Sequence, residues 1–387
     1  MPQPCSRQTA GAIALTLAAS GSAVVIQPLA PAPAIAARVN ATCANTATDA
    51  RSIQAAIDAS KEGDEVVFKG PCLINRTITL RGRRTYRGDA KAGTVIKQAD
   101  GANLPAMLAS ESWVTDQAYS SDPVRIERLT LDGNRDHNTG TVGLMLRSWD
   151  SRIYDMDILG TPSDGIRVSN PSKNGTKLRN TMVNSVISDV YIERAGGSGL
   201  KVVDPGNAVT DWTFQRSWIG FSGESGVEAE NSAGWTFSDL HLYATPKHAI
   251  DAHRCFGTSI RDNYIEDFGT KATPKQTYYG IRCDLQGEAG TTISNNRIHK
   301  FGNMAQSRTT RQDARFVFLA LDDVNYGKGH AAVTGNTILG HGTRQETGLL
   351  FRRGRGNALS IASTGNLVDN VGIPRSIGSG VRVTSGY

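Results

Sequence analysis

Three copies of one short phrase lie between Gly226 and Asp284, and they decide how the chain folds. The copies are Gly226-Val-Glu-Ala-Glu230, Ala249-Ile-Asp-Ala-His253 and Gly280-Ile-Arg-Cys-Asp284. Each begins with a small residue and then alternates apolar with polar residues, which is typical of a strand with one buried face. The phrases therefore predict three neighbouring strands with one charged surface, formed by Glu228, Glu230, Asp251, His253, Arg282 and Asp284.

The same phrase recurs along most of the chain, at intervals of roughly 20–40 residues. The other copies begin at Gly143, Gly165, Gly199, Phe318, Gly348 and Gly380, and a shorter strand precedes each copy. A repeat of this length without a helix predicts one rung of a parallel β-helix, because one rung cannot bury its apolar face alone. A sandwich would not place the same phrase at the same point of every repeat. Four repeats also carry an asparagine before their first strand, either as an inward ladder of amides or as a turn residue: Asn263, Asn296, Asn336 and Asn366.

The chain resembles the pectin-lyase-like right-handed parallel β-helix superfamily from about Ala47 to its end. The resemblance rests on the opening Ser52-Ile-Gln-Ala-Ala-Ile-Asp-Ala, on Gly63-Asp-Glu-Val-Val-Phe, on Thr77-Ile-Thr-Leu-Arg-Gly and on the repeats. It implies an all-β fold whose short N-terminal helix, expected at Ser52–Lys61, covers the first rung. The superfamily hosts many activities on one scaffold, so the resemblance is specific for the fold and weak for the chemistry.

The N-terminal region and the cysteines indicate export. Residues 1–37 have the pattern of a signal peptide, with Arg7 ahead of an alanine-rich apolar run. We expect a polar linker at 38–47, a β-helix domain at 48–387 and a secreted, extracellular protein. In an oxidising compartment Cys43 and Cys72 are expected to form a disulfide. Cys255 and Cys283 lie on adjacent repeats, as a second disulfide or as buried thiols.

Stacking of the repeats predicts two outward columns of side chains. The first column is Met145, Arg167, Lys201, Glu228, Asp251, Arg282, Ala320, Leu350 and Arg382. The second is Arg147, Ser169, Val203, Glu230, His253, Asp284, Asp322, Arg352 and Thr384. Opposite charges on neighbouring strands stabilise a sheet, so pairs such as Lys201–Glu228 could be purely structural. The like charges of Glu228 and Asp251 favour a site instead, since crowding raises the pKa of one carboxyl.

Three reactions on a polysaccharide fit these columns. The favoured one is β-elimination on an acidic, uronate-containing polymer. The resemblance then implies Ca²⁺ held by Glu230, Asp251 and Asp284, Lys201 or Arg282 as the base, and Arg352 on a substrate carboxylate. A glycoside hydrolase would pair Glu228 with Asp251 for retention or Glu230 with Asp251 for inversion. A C5 epimerase would use His253 with a carboxylate, although the Asp-Pro-His-Glu phrase typical of alginate epimerases is absent. Arg167, Tyr278, Tyr279, Asp322 and Arg352 are the predicted substrate-binding residues.

Other classes of function fit less well. A non-catalytic carbohydrate-binding β-helix predicts aromatic ladders, whereas the columns predict crowded carboxylates. The net charge of +6 does not indicate a nucleic-acid partner, because acidic residues are interleaved with the basic ones. No apolar run after the signal is long enough for a membrane span. The last rung, near Tyr387, has no closing helix, so we expect cover there from a loop or from oligomerisation.

Overall fold

The computed structural model describes residues 36–301, 313–354 and 358–385. The predicted signal peptide lies outside these residues except for its last two. There are two α-helices, α1 (Asp49–Ala59) and α2 (Glu111–Val114), and a 3-10 turn at Arg135–His137. The remaining regular structure consists of short strands.

The strands up to the first copy of the charged phrase are β1 (Arg38–Thr42), β2 (Glu65–Lys69), β3 (Cys72–Ile74), β4 (Ile78–Leu80), β5 (Arg84–Gly88), β6 (Val95–Gln98), β7 (Ala106–Ser110), β8 (Val124–Asp132), β9 (Val142–Leu146), β10 (Arg152–Leu159), β11 (Ile166–Ser169), β12 (Val186–Glu193), β13 (Leu200–Val203), β14 (Thr213–Gln215), β15 (Trp218–Gly220) and β16 (Val227–Ala229). The later strands are β17 (Thr236–Ser238), β18 (His241–Thr245), β19 (Ile250–Cys255), β20 (Ser259–Arg261), β21 (Tyr264–Phe268), β22 (Thr277–Leu285), β23 (Thr291–Ser294), β24 (Arg297–His299), β25 (Arg315–Val324), β26 (Gly329–Thr334), β27 (Thr337–Leu339), β28 (Glu346–Phe351), β29 (Leu359–Thr364), β30 (Leu367–Asp369), β31 (Ile373–Ile377) and β32 (Val381–Thr384).

These strands form two parallel sheets, which confirms the predicted parallel β-helix. The first sheet contains 21 strands, and the second contains 11 strands in the order β31-β28-β25-β22-β19-β16-β13-β11-β9-β7-β4. Each second-sheet strand belongs to one rung and pairs only with the rungs before and after it. Side chains from both sheets meet inside the coil in one continuous apolar core. Within the described residues, no helix is long and apolar enough to cross a membrane.

The N-terminal end of the coil is covered as the resemblance implied. Helix α1 starts three residues earlier than expected and buries Ala50, Ile53 and Ile57 against the first rungs. The structure differs from the expected linker, because Arg38–Thr42 forms β1 and pairs in parallel with β2. The alternation of Val39 and Ala41 with polar residues is the pattern that we assigned to a linker, and it forms an edge strand instead.

Both predicted cysteine pairs lie close enough to bond. Cys43 and Cys72 form a disulfide with their Cα atoms 5.1 Å apart, which ties the segment after β1 to β3. Cys255 and Cys283 form a second one with Cα atoms 6.1 Å apart. The alternative of two buried thiols is therefore wrong. This second disulfide joins β19 to β22, the two strands that carry His253 and Asp284.

The corner asparagines form the inward ladder, so the first of the two alternatives is confirmed. Oδ1 of Asn296 accepts the backbone N–H of Asn263 at 3.1 Å and its side-chain amide at 2.8 Å. Asn296 in turn donates to Oδ1 of Asn336, and Asn336 donates to Oδ1 of Asn366. The left-handed turn residue is the one before each asparagine: Asp262, Asn295, Gly335 and Gly365.

The last repeat departs from the prediction. Val381–Thr384 pairs with β29 in the first sheet, and the second-sheet strand of this rung is β31. Arg382 and Thr384 therefore do not extend the two outward columns. The sequence signal failed because β31 contains Pro374, which a strand tolerates only at an edge or a bulge. Leu367, Ile373 and Ile377 are exposed on this rung.

Replacing Asn296 by alanine is expected to destabilise the coil by about 3 kcal/mol or more, because the buried N–H of Asn263 and the carbonyl of Ile260 both lose a partner. Urea unfolding measures this change. The matched control is Asn295→Gly at the exposed left-handed position beside it, where the expected change is a few tenths of a kcal/mol. Equal losses in the two variants would contradict a stabilising ladder.

Candidate active site on the second sheet

The first column is in register over the middle rungs, as predicted. The structure pairs Met145 with Arg167, Arg167 with Lys201, Lys201 with Glu228, Glu228 with Asp251, and Asp251 with Arg282. Apolar residues continue the column on either side, with Met145 before it and Ala320 after it. We call Arg167, Lys201, Glu228, Asp251 and Arg282 the charged face. Successive members are about 4.8 Å apart because they lie on neighbouring parallel strands.

The second column is irregular at its charged residues, where β19 contains a bulge. Ala252 pairs with Cys283 but Cys255 pairs with Leu285, so β19 has one extra residue in a bulge. Arg254 lies in this bulge with a φ of 52°. Bulges redirect side chains and are enriched beside active sites. Here the bulge follows His253 directly, and Nδ1 of His253 lies 2.7 Å from Oδ2 of Asp284 on the next strand.

Glu228 is held by a cation and a hydroxyl. Nζ of Lys201 donates to Oε1 at 2.8 Å, and Oγ of Ser198 donates to Oε2 at 2.9 Å. Burial alone would raise the pKa of Glu228, but Lys201 and Ser198 together keep it below its ordinary value. Arg167, at the start of the charged face, is paired with Asp164 at 2.6 Å.

Asp251 is the most enclosed carboxylate of the charged face. Nε of Arg282 lies 2.7 Å from Oδ1 of Asp251, but its N–H does not point at that oxygen, so the contact is an ion pair without a hydrogen bond. Nε2 of His248 lies 3.8 Å from Oδ2. Burial raises the pKa of Asp251, and His253, Arg282 and His248 outweigh that effect, so the net pKa is below the ordinary value.

His253 sits between opposite charges. Asp251 and Asp284 raise the pKa of its ring to about 9. Its Nε2, however, lies 2.6 Å from Nη2 of Arg282, which disfavours a proton on that nitrogen. The two carboxylates outweigh one guanidinium, so the net direction is upward. In the neutral ring, which the high pKa confines to alkaline pH, Nδ1 carries the proton toward Asp284 and Nε2 accepts from Arg282. Nε2 can take up a second proton when Arg282 moves away.

Tyr279 lies on the strand of Arg282 and connects the charged face to Asp322. Its hydroxyl donates to Oδ2 of Asp322 at 3.0 Å, and the guanidinium of Arg282 lies 5.1 Å from its ring centre. Burial, followed by the charge of Asp322, raises the pKa of Tyr279 to about 12. Nε of Arg352 donates to Oδ1 of Asp322 at 2.6 Å, and 51% of the Arg352 side chain is exposed.

Glu230 faces outward as predicted, whereas Tyr278 and Arg147 differ from their predicted places. Glu230 is exposed and accepts the backbone N–H of Asp204. An inverting pair needs a carboxyl separation of about 6.5–9.5 Å and therefore no direct contact, so the Glu230–Asp251 pair stays a prediction. The alternation of β22 breaks at Gly280, so Tyr278 packs in the core on the same side as Ile281, whereas Tyr279 lies on the outer side in a small cluster with Ala320. Arg147 is fully buried instead of facing outward.

The sequence analysis missed a third outward column. It lies three residues before the first, directly ahead of the small residue of each phrase, and its members include Asp164, Ser198, His248 and Tyr279. Nδ1 of His248 accepts the backbone N–H of Tyr279 at 3.1 Å, so its Nε2 carries the proton toward Asp251. Burial lowers the pKa of His248, which keeps the ring neutral. Strict two-residue alternation leads back to the small residue of each phrase, so the pattern gave no signal for this column.

The carboxylates do not present a calcium site. Glu228, Asp251 and Asp322 each face a lysine or arginine at 2.5 to 2.8 Å. Within the described ranges, no group of three or more His, Cys, Asp or Glu side chains is arranged to hold a metal ion. The donors that the resemblance assigned to Ca²⁺, namely Glu230, Asp251 and Asp284, do not converge on one point.

The arrangement favours proton transfer by rings over acid catalysis by a carboxyl. A hydrolase needs one carboxyl whose raised pKa keeps it protonated. We expected crowding to supply it, but the pKa values of Glu228 and Asp251 are both lowered, since each carboxylate has its own cation. His253 and Tyr279 are the groups beside the charged face that can exchange a proton, and Arg282 lies between them.

Solved structures of other proteins have the same fold. The A-module of the mannuronan C-5 epimerase AlgE6 of Azotobacter vinelandii has a TM-score of 0.58 at 16% identity, covering 88% of this chain and 95% of that one. The AlgE4 A-module from the same organism has a TM-score of 0.57 at 18% identity, covering 88% and 96%.

A third similar structure is that of an enzyme named for a glucan and not for mannuronan. The catalytic domain of a GH87 α-1,3-glucanase in complex with nigerose has a TM-score of 0.57 at 13% identity, covering 94% of this chain and 71% of that one. No protein-family model matches the chain, and no curated protein is significantly similar to it in sequence. At these identities the likeness establishes the fold, and the chemistry has to be argued from the site.

The raised pKa of His253 predicts a stability that depends on pH. The folded pKa of about 9 exceeds the ordinary 6.5, so the stabilising proton is fully bound below 6.5 and is lost as pH rises toward 9. After a discount for partial solvent screening we expect a loss of about 1–2 kcal/mol over this window. Urea unfolding between pH 6 and 9.5 measures it.

His253→Gln is expected to flatten this pH dependence, whereas His330→Gln, at an exposed position of the first sheet, is expected to retain it. Histidine NMR titration reports the His253 pKa directly. A titration midpoint at or below 6.5 would contradict the electrostatic assignment.

Proposed function

We propose that this chain, which has the right-handed parallel β-helix fold of the pectin-lyase-like superfamily, is a secreted enzyme. It cleaves a uronate-containing polysaccharide by β-elimination. The observation that carries the proposal is the cluster of His253, Arg282 and Tyr279 beside Asp251. Elimination begins by removing the proton next to the substrate carboxylate, and this step needs a base, a cation on the carboxylate and an acid for the leaving oxygen.

Arg352 and Arg282 are the proposed carboxylate binders. Among the described residues the guanidinium of Arg352 is paired with Oδ1 of Asp322, and half of its side chain is exposed, so a bidentate carboxylate can approach it. When Arg282 turns to the same substrate group, it leaves Nε2 of His253. That nitrogen then takes the C5 proton, and Asp251 and Asp284 stabilise the resulting imidazolium.

The rest of the elimination step balances in electrons and protons without a cofactor. The electron pair of the C5–H bond forms the C4–C5 double bond, and the bond from C4 to the glycosidic oxygen breaks. The departing oxygen takes the hydroxyl proton of Tyr279, which remains protonated near neutral pH because its pKa is raised to about 12. His253 then returns its proton to solvent and Tyr279 regains one. This assigns the base to His253, in place of the Lys201 or Arg282 that the resemblance implied.

A C5 epimerase is the second candidate, because it shares the first step and differs only in how the carbanion is reprotonated. The same two rings could remove and return the proton on opposite faces of the sugar. A hydrolase has less support, since Glu228 and Asp251 each have a cation partner and a lowered pKa. Secretion is supported by two disulfides, which persist in oxidising compartments.

The proposal is tested with polymannuronate, polyguluronate and polygalacturonate, with and without chelator. We expect ultraviolet absorbance from the new double bond to rise together with reducing ends. Reducing ends without absorbance would indicate hydrolysis and overturn elimination. Exchange of the C5 proton for deuterium without cleavage would indicate epimerisation. Loss of activity with chelator would show that a metal ion takes part despite the unfavourable ligand set.

His253→Asn and Tyr279→Phe are each expected to lower kcat at least ~100-fold, because each removes a proton-transfer group. The chain offers matched controls on the first sheet, where Nε2 of His241 lies 2.6 Å from Glu266 and the hydroxyl of Tyr264 donates to the same carboxylate. His241→Asn and Tyr264→Phe are expected to retain wild-type kcat. Since His253 must lose its proton to act, kcat/KM should rise with pH toward about 9.

A further inference from the structure

The charged face is closed at one end by a tryptophan. Trp113 of α2 packs on Ala109 and Met145, in an apolar cluster separate from the main core. Met145 is the first-column residue directly before Arg167. Because this cluster is buried, a sugar chain lying on the charged face cannot continue past Arg167 along the column.

The segments around Trp113, at the closed end of the charged face, are held by a buried arginine that the proposed chemistry does not use. Arg147 is fully buried, and its guanidinium donates only to backbone carbonyls in the contacts described, which come from the two loops around α2 and after β11. These carbonyls belong to Ser112, Gln117, Tyr119, Asn170 and Thr176. Burial lowers its pKa to about 10, so it remains a cation at neutral pH. Asp116 joins the same two loops by accepting hydrogen bonds from Ser172 and Asn174.

At its opposite end, beyond Arg282, the charged face changes direction instead of being closed. Ala320 and Leu350 continue the first column beyond Arg282, but they are buried in a small cluster with Tyr279. An open depression of about 590 Å³ lies beside them, and its lining includes Asp284, Asp322 and Arg352. A sugar chain on the charged face would therefore run from Arg167 to the His253 cluster and leave through this depression.

We propose that the site binds the end of a uronate chain against Trp113 and releases short fragments from that end. This inference rests on the proposed function. Three rung steps separate Arg167 from Asp251, about 14 Å in total, which corresponds to roughly three sugar units. Arg167 and Lys201 lie along this stretch, each paired with a carboxylate of the protein, and would exchange that partner for the carboxylate of a sugar unit.

Product size tests the inference. The wild-type protein is expected to release fragments of about two to four units from the start, while the viscosity of the polymer falls slowly for each bond broken. Trp113→Ala is expected to open the closed end, giving longer early products and a viscosity loss several-fold faster per bond. Trp149→Ala is the matched control, because Trp149 follows β9, the strand of Met145, but is 40% exposed and lies outside the cluster.

Two outcomes would overturn the inference while leaving the elimination intact. One is a wild-type protein whose early products are long. The other is a folded Trp113→Ala protein, with unchanged circular dichroism, whose products match the wild type. If Trp113→Ala does not fold, Trp113→Leu keeps the cluster apolar while shortening the closure.

A binding measurement tests end-binding independently of the elimination reaction. Uronate hexamers carrying a bulky tag at one end or the other are titrated calorimetrically into His253→Asn protein. A tag on the end that meets Trp113 is expected to weaken binding at least tenfold, and Trp113→Leu is expected to reduce that loss. Equal binding of both tagged forms would overturn end-binding even if no polymer is cleaved. Failure to bind any hexamer would reject the proposed function as well.

Discussion

Stacking in parallel register is the constraint on which the rest of the structure depends. Each second-sheet strand pairs with its neighbours at equivalent positions, so one side chain per rung is placed directly above the next. A single substitution thus changes the neighbourhood of two other rungs. Lys201, Glu228, Asp251 and Arg282 come from four separate repeats, yet they interact as if they belonged to one short segment.

The same constraint explains the electrostatics of the site. Two carboxylates one rung apart would repel each other if they stood alone, and Glu228 and Asp251 are such a pair. Each is neutralised from the side facing away from the other, Glu228 by Lys201 and Asp251 by Arg282. The result is a line of paired charges in which the carboxylates remain ionised, which is why the proposed mechanism assigns proton transfer to the rings of His253 and Tyr279.

The sequence predicts the fold, the register of the middle rungs and the membership of the first column up to Leu350, because the recurring phrase and its period of two are local. It fails where a side chain is placed by long-range packing. Arg147 has the position of an outward residue, but two loops far apart in sequence supply carbonyls that bury it. Tyr278 and Tyr279 could not be distinguished because the alternation of β22 breaks at Gly280.

Other features lack a sequence signal altogether. The bulge at Arg254 directly follows His253, and no residue type in the phrase Asp251-Ala-His253 announces it. The pKa of Glu228 was expected to respond to crowding, whereas the hydroxyl of Ser198 and the amine of Lys201 decide its direction. His248 was missed because alternation back from Asp251 leads to Ala249 and passes over His248.

The asparagine ladder has a consequence for how this scaffold can diverge. Successive ladder members are separated by 33, 40 and 30 residues, yet their amides meet with nearly the same geometry. The corner they occupy therefore fixes the pitch of the coil, and every difference in repeat length is accommodated at the other turns. Insertions there can lengthen or shorten the walls around the second sheet without shifting any strand. The loops that border the second sheet can change in evolution while its outward columns stay aligned.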